Sequence, residues 1–163
     1  MDILACQGNI ADEVADVLVS PADTQLSMSG GAASALYTAA GDTLRTAVTH
    51  HETVDVGEAI FTPTSELFAD YVAHAVAKPE LASATEDTVR SAVQATLSLA
   101  IDKECGSLVF PLIGSGVGGL RDETSAQIIL EEVTAVDGLS GVRLITRSRR
   151  EYRQTATLID RIQ

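Results

Sequence analysis

The sequence predicts an α/β domain, and three observations carry that expectation. Strand-like and helix-like segments alternate along most of the chain. A continuous apolar run, Ser107-Leu108-Val109-Phe110-Pro111-Leu112-Ile113, suits a strand buried on both faces. Just before it, Thr85–Lys103 carries the clearest helical pattern in the chain. Alternation of this kind means a sheet sandwiched between helices.

Taken in order, Asp2–Cys6 and Val14–Val19 are strands, separated by Gly8-Asn9-Ile10-Ala11-Asp12. Ala32–Ala40 is a helix of small residues closed by Gly41, as a helix C-terminus requires. Gly57–Phe61 and Tyr71–Val76 are two further strands, joined by the turn-rich Thr62-Pro63-Thr64-Ser65-Glu66-Leu67. In the Thr85–Lys103 helix, Thr85 and Thr88 offer caps, Glu86 and Asp87 suit the first turn, and Lys103 suits the last. Its residues Val89, Ala92, Val93, Leu97, Ala100 and Ile101 recur at helical spacing. A helix from about Thr124 to Ala135, a strand at Val142–Thr146 and a helix from about Arg150 complete the series. No repeat, low-complexity tract or linker divides residues 1–163, which read as one domain.

Composition excludes two classes. With 45% hydrophobic residues and mean hydropathy +0.17, the chain is not a disordered acidic segment, although its net charge is −12. A pI near 4.4 argues against general phosphate-backbone binding, which needs clustered Lys and Arg, so no nucleic-acid partner is expected. The charge is also uneven. Residues 141–163 hold six arginines against Glu151 and Asp160, a local +4, leaving −16 on residues 1–140. Only Lys78 and Lys103 are lysines. Acid-rich, lysine-poor composition fits a salt-loving surface, with a merely soluble acidic protein as the alternative. The N-terminus shows no targeting pattern and no run approaches a membrane span, so a cytoplasmic protein without a membrane partner is expected. Cys6 and Cys105 lack metal-site spacing and read as reduced, buried thiols.

The chemistry lies in two glycine loops, each joining a strand region to a helix. One is Ser27-Met28-Ser29-Gly30-Gly31-Ala32; the other is Gly114-Ser115-Gly116-Val117-Gly118-Gly119. Glycines permit close backbone approach, and helix N-termini present free N–H groups to an anion. Two such loops suit a pyrophosphate held by backbone amides without Lys or Arg; a tight turn is the alternative for either alone. The second loop also matches G-x-G-x-x-G through Gly114, Gly116 and Gly119, with Asp137 following. A small NAD-binding Rossmann-like protein is therefore a second candidate. The usual fingerprint, however, opens a domain rather than sitting near its end. His50-His51-Glu52 reads as loop surface rather than a metal site, and His74 as a structural histidine.

Several motifs in order resemble the macrodomain family of ADP-ribose-binding modules. Gly8-Asn9-Ile10 sits where the family has Gly-Asp-Ile, and Val19-Ser20-Pro21-Ala22-Asp23 where it has Val-Asn-Ala-Ala-Asn. Ser29–Tyr37 resembles its Gly-Gly-Gly-Val-Asp-Gly-Ala-Ile-His loop; Gly57-Glu58-Ala59, Val72-Ala73-His74 and Phe110-Pro111 with Gly114–Leu120 follow. The resemblance implies a three-layer α/β/α sandwich with a mixed central sheet and an ADP-ribose cleft at the sheet's C-terminal edge. The phosphates would lie on amides of Gly30, Gly31, Ala32 and Ala33, and of Ser115, Gly116, Val117 and Gly118. Gly8, Asn9 and Ile10 would meet the adenine, Ala22 and Asp23 the distal ribose, and Gly114 would shape the second loop. Arg147 takes the place of an aromatic that stacks on adenine, with Tyr152 nearby, and Gly118 replaces an aromatic beside the ribose.

The implied ligand is ADP-ribose or a derivative: an ADP-ribosylated protein, ADP-ribose 1″-phosphate or O-acetyl-ADP-ribose. No cofactor or metal is implied. Hydrolytic members use the second Asn of Asn-Ala-Ala-Asn and the Asp of Gly-Val-Asp-Gly, and the matching residues here are Asp23 and Ala33. Alanine can neither orient a water nor accept a proton. Asp23 is thus the one candidate catalytic residue, with a turn residue in Pro-Ala-Asp-Thr as its alternative. Binding alone and binding with hydrolysis both stay open.

Overall fold

The apolar pattern becomes six strands and five α-helices in the computed structural model, which describes all 163 residues. In chain order these are β1 (Asp2–Gln7), β2 (Val17–Asp23), α1 (Gly31–Ala40), α2 (Asp42–Thr49), β3 (Ala59–Pro63) and β4 (Tyr71–Lys78). There follow α3 (Glu86–Asp102), β5 (Ser107–Phe110), α4 (Asp122–Thr134), β6 (Gly141–Thr146) and α5 (Arg149–Ile162). The sheet order is β1-β6-β5-β2-β4-β3, parallel except for β3, which runs antiparallel to β4.

Period-2 alternation divides the strand side chains between two cores. Val17, Val19, Leu108, Phe110, Val142 and Leu144 pack with Val93 and Leu97 of α3, Ile128 and Ile129 of α4, and Ile159 of α5. Leu18, Val72, Val76, Val109 and Ile145 pack with Leu36 of α1 and Leu44 of α2. The result is a three-layer α/β/α sandwich with a mixed sheet. Each fully buried Leu, Ile or Phe contributes roughly 1.5–3 kcal/mol through desolvation.

Local chemistry fixes the helix ends. Thr85 and Thr88 form a reciprocal capping box at α3, and Ser148 and Glu151 form another at α5. Helix α2 was not anticipated from the sequence, because only Leu44 and Val48 of its residues are buried. Strand β2 starts at Val17 rather than Val14, which is exposed, and continues through Pro21 to Asp23. β3 lies two residues later than expected, so Thr62 belongs to the strand rather than the turn. Pro111 stands just past the end of β5, and Leu112 and Ile113 belong to the following turn.

Two features of β2 and β5 position the site. At their N-terminal ends the Asp16 carboxylate accepts the amides of Gly106 and Ser107 at 2.8 and 3.1 Å, while Ser107 Oγ accepts the Asp16 amide at 2.8 Å. The ladder itself covers only Val17/Leu108 and Leu18/Val109. Beyond Leu18, β2 pairs with β4 alone, so Pro21 removes no bond to β5. β2 then leads to α1 on one face of the sheet and β5 to α4 on the other. Such a divergence between neighbouring strands opens a crevice at their C-terminal ends.

Neither cysteine offers a reactive thiol. Cys105 is buried, and burial raises its pKa. Cys6 is half-buried rather than buried, and its Sγ donates to Glu13 Oε1 at 3.3 Å. Burial and then Glu13 push the Cys6 thiol up to about 12, so it stays protonated at neutral pH.

Candidate functional site

A cleft of about 950 Å³ occupies the crevice, and a smaller cavity of about 510 Å³ adjoins it. The expected site residues distribute cleanly between them. Ala22, Asp23, Gly30, Gly31, Ala32, Ala33, Gly114, Ser115, Gly116, Val117 and Gly118 line the large cleft, whereas Gly8, Asn9 and Ile10 line the smaller one. Ala32 and Arg147 border both. Tyr152 borders neither.

The first glycine loop becomes the start of α1. Gly30 is extended, and the first intrahelical bond runs from the Ser34 amide to the Gly30 carbonyl at 3.2 Å. The amides of Gly31, Ala32 and Ala33 therefore have no carbonyl one turn earlier and point out of the helix end. The loop leading there is strained, with Leu26 at φ 54° and Met28 at φ 50°. Asp23 holds it in shape: its carboxylate accepts the amides of Gln25 and Ser27 at 2.9 and 3.3 Å, and also the Ser27 hydroxyl.

The second loop follows β5 and forms a short 3-10 turn over Gly116–Gly118. Within it, Ser115 donates its amide to Leu112 O at 3.2 Å and Gly118 donates to Ser115 O at 3.3 Å. Those two amides are spent inside the turn, which narrows the expected four phosphate-facing amides to Gly116 and Val117. Gly114 must be glycine: its φ is +82°, and a Cβ there would lie 2.5 Å from Val89 Cγ2. Val117 is 85% exposed, and its Cγ2 is 3.6 Å from where a Gly30 Cβ would sit. The two loops thus meet over the cleft through one side chain.

Asn9 caps the Ile10–Asp12 turn through Oδ1, which accepts the Ala11 amide at 2.9 Å. Its side-chain NH₂ is the group that the turn leaves unused. Ala33 is 3% exposed and presents only a methyl group. Ser20 and His74 are cross-strand partners beneath the site on β2 and β4, both fully buried. His74 Nε2 lies 2.9 Å from Thr62 Oγ1, while His74 Nδ1 and Ser20 Oγ have no partner. Burial, with a smaller effect from His51, lowers the His74 pKa to about 4. His74 is therefore a neutral structural residue, with one ring nitrogen satisfied rather than two.

Residues 19–129 match the family model described as Macro domain. The chain belongs to the macrodomain family. A protein of Aquifex aeolicus is 36% identical over 135 residues, covering 82% of this chain and 81% of that protein. A Mycobacterium tuberculosis protein is 32% identical over 128 residues, covering 78% of this chain but only 35% of its own length. The Trypanosoma brucei macrodomain solved in complex with ADP-ribose superposes with a TM-score of 0.87 at 24% identity, covering 96% of this chain and 68% of that one.

The macrodomain topology overturns the dinucleotide-fingerprint alternative. Asp137 is exposed in the connection that enters β6, and so lies at the N-terminal edge of the parallel strands. The Gly114–Gly119 loop leaves β5 at the opposite edge, so the two cannot share one nucleotide. No helix is long and apolar enough to cross a membrane.

Lys78, Glu80, Leu81, Arg121 and Arg150 also line the large cleft and were not anticipated. Lys78 is the legible one, since it ends β4 at the same sheet edge; its Nζ donates to the carbonyls of Pro79 and Glu80 at 2.9 and 3.0 Å. Gly118 borders this end, and the Ala84 amide donates to its carbonyl at 2.9 Å. The segment before α3, through Glu80 and Leu81, thereby walls this end of the cleft.

Proposed function

We propose that this macrodomain binds ADP-ribose or a derivative of it, with the diphosphate between the two glycine loops. The observation that carries the proposal is their placement: free amides of Gly31–Ala33 and of Gly116 and Val117 border one cleft at the divergence of β2 and β5. The adenosine belongs in the smaller cavity at Gly8, Asn9 and Ile10, and the distal ribose near Ala22 and Asp23. The ADP-ribose bound by the Trypanosoma brucei macrodomain supports this choice of ligand. Backbone dipoles do the holding, so a net charge of −12 is no obstacle. Calorimetric titration with ADP-ribose, ADP, NAD and ATP at low and high salt tests it. ADP-ribose binds tightest of the four; no ADP-ribose binding at either salt refutes the assignment.

Hydrolytic processing is the second reading, and it rests on Asp23 facing the cleft. Its carboxylate is already occupied by Gln25 and Ser27, and Ala33 supplies no second polar group. The chemistry therefore favours a binding module, one whose natural ligand is an ADP-ribosylated protein or a free ADP-ribose derivative. Incubation with ADP-ribosylated protein and with ADP-ribose 1″-phosphate decides the point. Turnover that Asp23→Asn abolishes while ADP-ribose still binds would establish the enzyme instead.

A further inference from the structure

Arg147 stands at the junction of the two cavities, on the segment between β6 and α5. The α5 capping box fixes its backbone: Glu151 Oε2 accepts the amides of Arg147 and Ser148 at 2.9 and 3.2 Å. Its side chain reaches across to the first glycine loop. Nη2 lies 2.8 Å, Cζ 3.4 Å and Nη1 3.7 Å from the position a Cβ on Gly31 would take. The guanidinium thus rests against the bare backbone where α1 begins.

The Arg147 guanidinium forms no ion pair; the salt bridges belong to Arg90, Arg121 and Arg143. A helix N-terminus carries partial positive charge, so a cation beside it gains nothing from the dipole. Cation and amides share a neighbourhood favourably when both contact one doubly charged anion. A guanidinium presents a planar fork of donors that matches phosphate oxygens.

We propose that Arg147 is a diphosphate clamp rather than a base-stacking residue: its guanidinium, resting beside Gly31, closes on the ligand's phosphates next to the amides of Gly31–Ala33. It thereby selects nucleoside diphosphates and their esters over nucleosides. Gly31 is the residue that permits the approach, because at 2.8 Å a Cβ would displace Nη2. The inference rests on the diphosphate lying between the glycine loops, as proposed above.

The two roles of Arg147 predict different ligand dependence. Arg147→Ala, Arg147→Lys and Arg147→Phe are compared with the unaltered protein, using ADP-ribose and ADP by calorimetry and adenosine by ligand-detected NMR. Arg147 is exposed, so each variant keeps the thermal midpoint of the parent. A charge-assisted contact predicts that Arg147→Ala and Arg147→Phe weaken ADP-ribose and ADP by ~10–100-fold and leave adenosine within twofold. Arg147→Lys restores part of the loss. Arg147→Phe binding ADP-ribose as tightly as the parent, or adenosine weakening as much as ADP in Arg147→Ala, would overturn the clamp in favour of stacking. Failure of the parent itself to bind ADP-ribose would instead overturn the ligand assignment on which the clamp depends.

Discussion

Acid should destabilise this protein through His74, and the size of the effect follows from its surroundings. The ring is fully buried on β4, with Nε2 against Thr62 Oγ1 and Nδ1 facing no partner. Burial lowers its pKa from 6.5 to about 4, with His51 adding to the shift. In the unfolded chain the imidazole takes up a proton near pH 6.5; in the folded one it resists until about pH 4. The unfolded state therefore binds more protons across that window. Stability from this residue is fully present above pH 6.5 and falls away as pH drops towards 4. At 1.36 kcal/mol per pH unit, the loss is about 3 kcal/mol. That is a sizeable share of the roughly 5–15 kcal/mol by which domains are stable. Urea unfolding at pH 7.5, 6.0, 5.0 and 4.5 measures it, with His74→Asn as the control that keeps a polar group beside Thr62. Carboxylate titration enters both proteins alike, so the difference between their pH profiles isolates the imidazole. The parent loses more stability than the variant below pH 6.5; parallel profiles would refute the reasoning.

Three further outcomes follow from the geometry. Gly114→Ala combines a φ of +82° with a Cβ 2.5 Å from Val89 Cγ2, so it lowers the urea midpoint by the equivalent of roughly 2–5 kcal/mol and weakens ADP-ribose. An unchanged midpoint would mean that the second loop is not held as described. Arg90 joins α3 to α4 by pairing with Glu131 and Glu132, and Arg90→Ala costs about 1 kcal/mol in 0.1 M salt and less in 1 M. The acidic body responds the other way. Raising salt from 0.1 to 1 M shortens the screening length from about 10 to about 3 Å and relieves self-repulsion among the first 140 residues, so the melting temperature rises. A fall would remove the case for a salt-adapted surface.

The sequence made some elements plain because several signals agreed. Thr85, Glu86 and Asp87 announced the start of α3, and the apolar run Ser107–Ile113 suited a covered strand, which Ser107–Phe110 forms. The glycine loops were legible because both precede helices at one sheet edge. Where signals conflicted, the reading slipped. The expected strand Val14–Val19 stopped short of Pro21, which β2 in fact includes because β5 has already parted from it there. α2 is only eight residues long, its apolar stripe is little more than Leu44 and Val48, and it shares Gly41 with the end of α1, so it gave too short a pattern to read. In the site, the roles of Asn9 and Arg147 depended on which backbone groups their side chains reach. Residue identity does not encode that: Asn9 turns back on Ala11, and Arg147 crosses to Gly31.

Strands β2 and β5 behave like the limbs of a pair of tongs. Asp16 is the rivet, the two short ladder pairs are the neck, and the glycine loops are the jaws. Leverage then makes the rivet as consequential as the grip. Loosening Asp16 alters the spacing of two loops at the far end of the sheet, though it touches neither. Gaining or losing grip need not change any residue of the jaws, and divergence in ligand preference within this fold has a second place to begin.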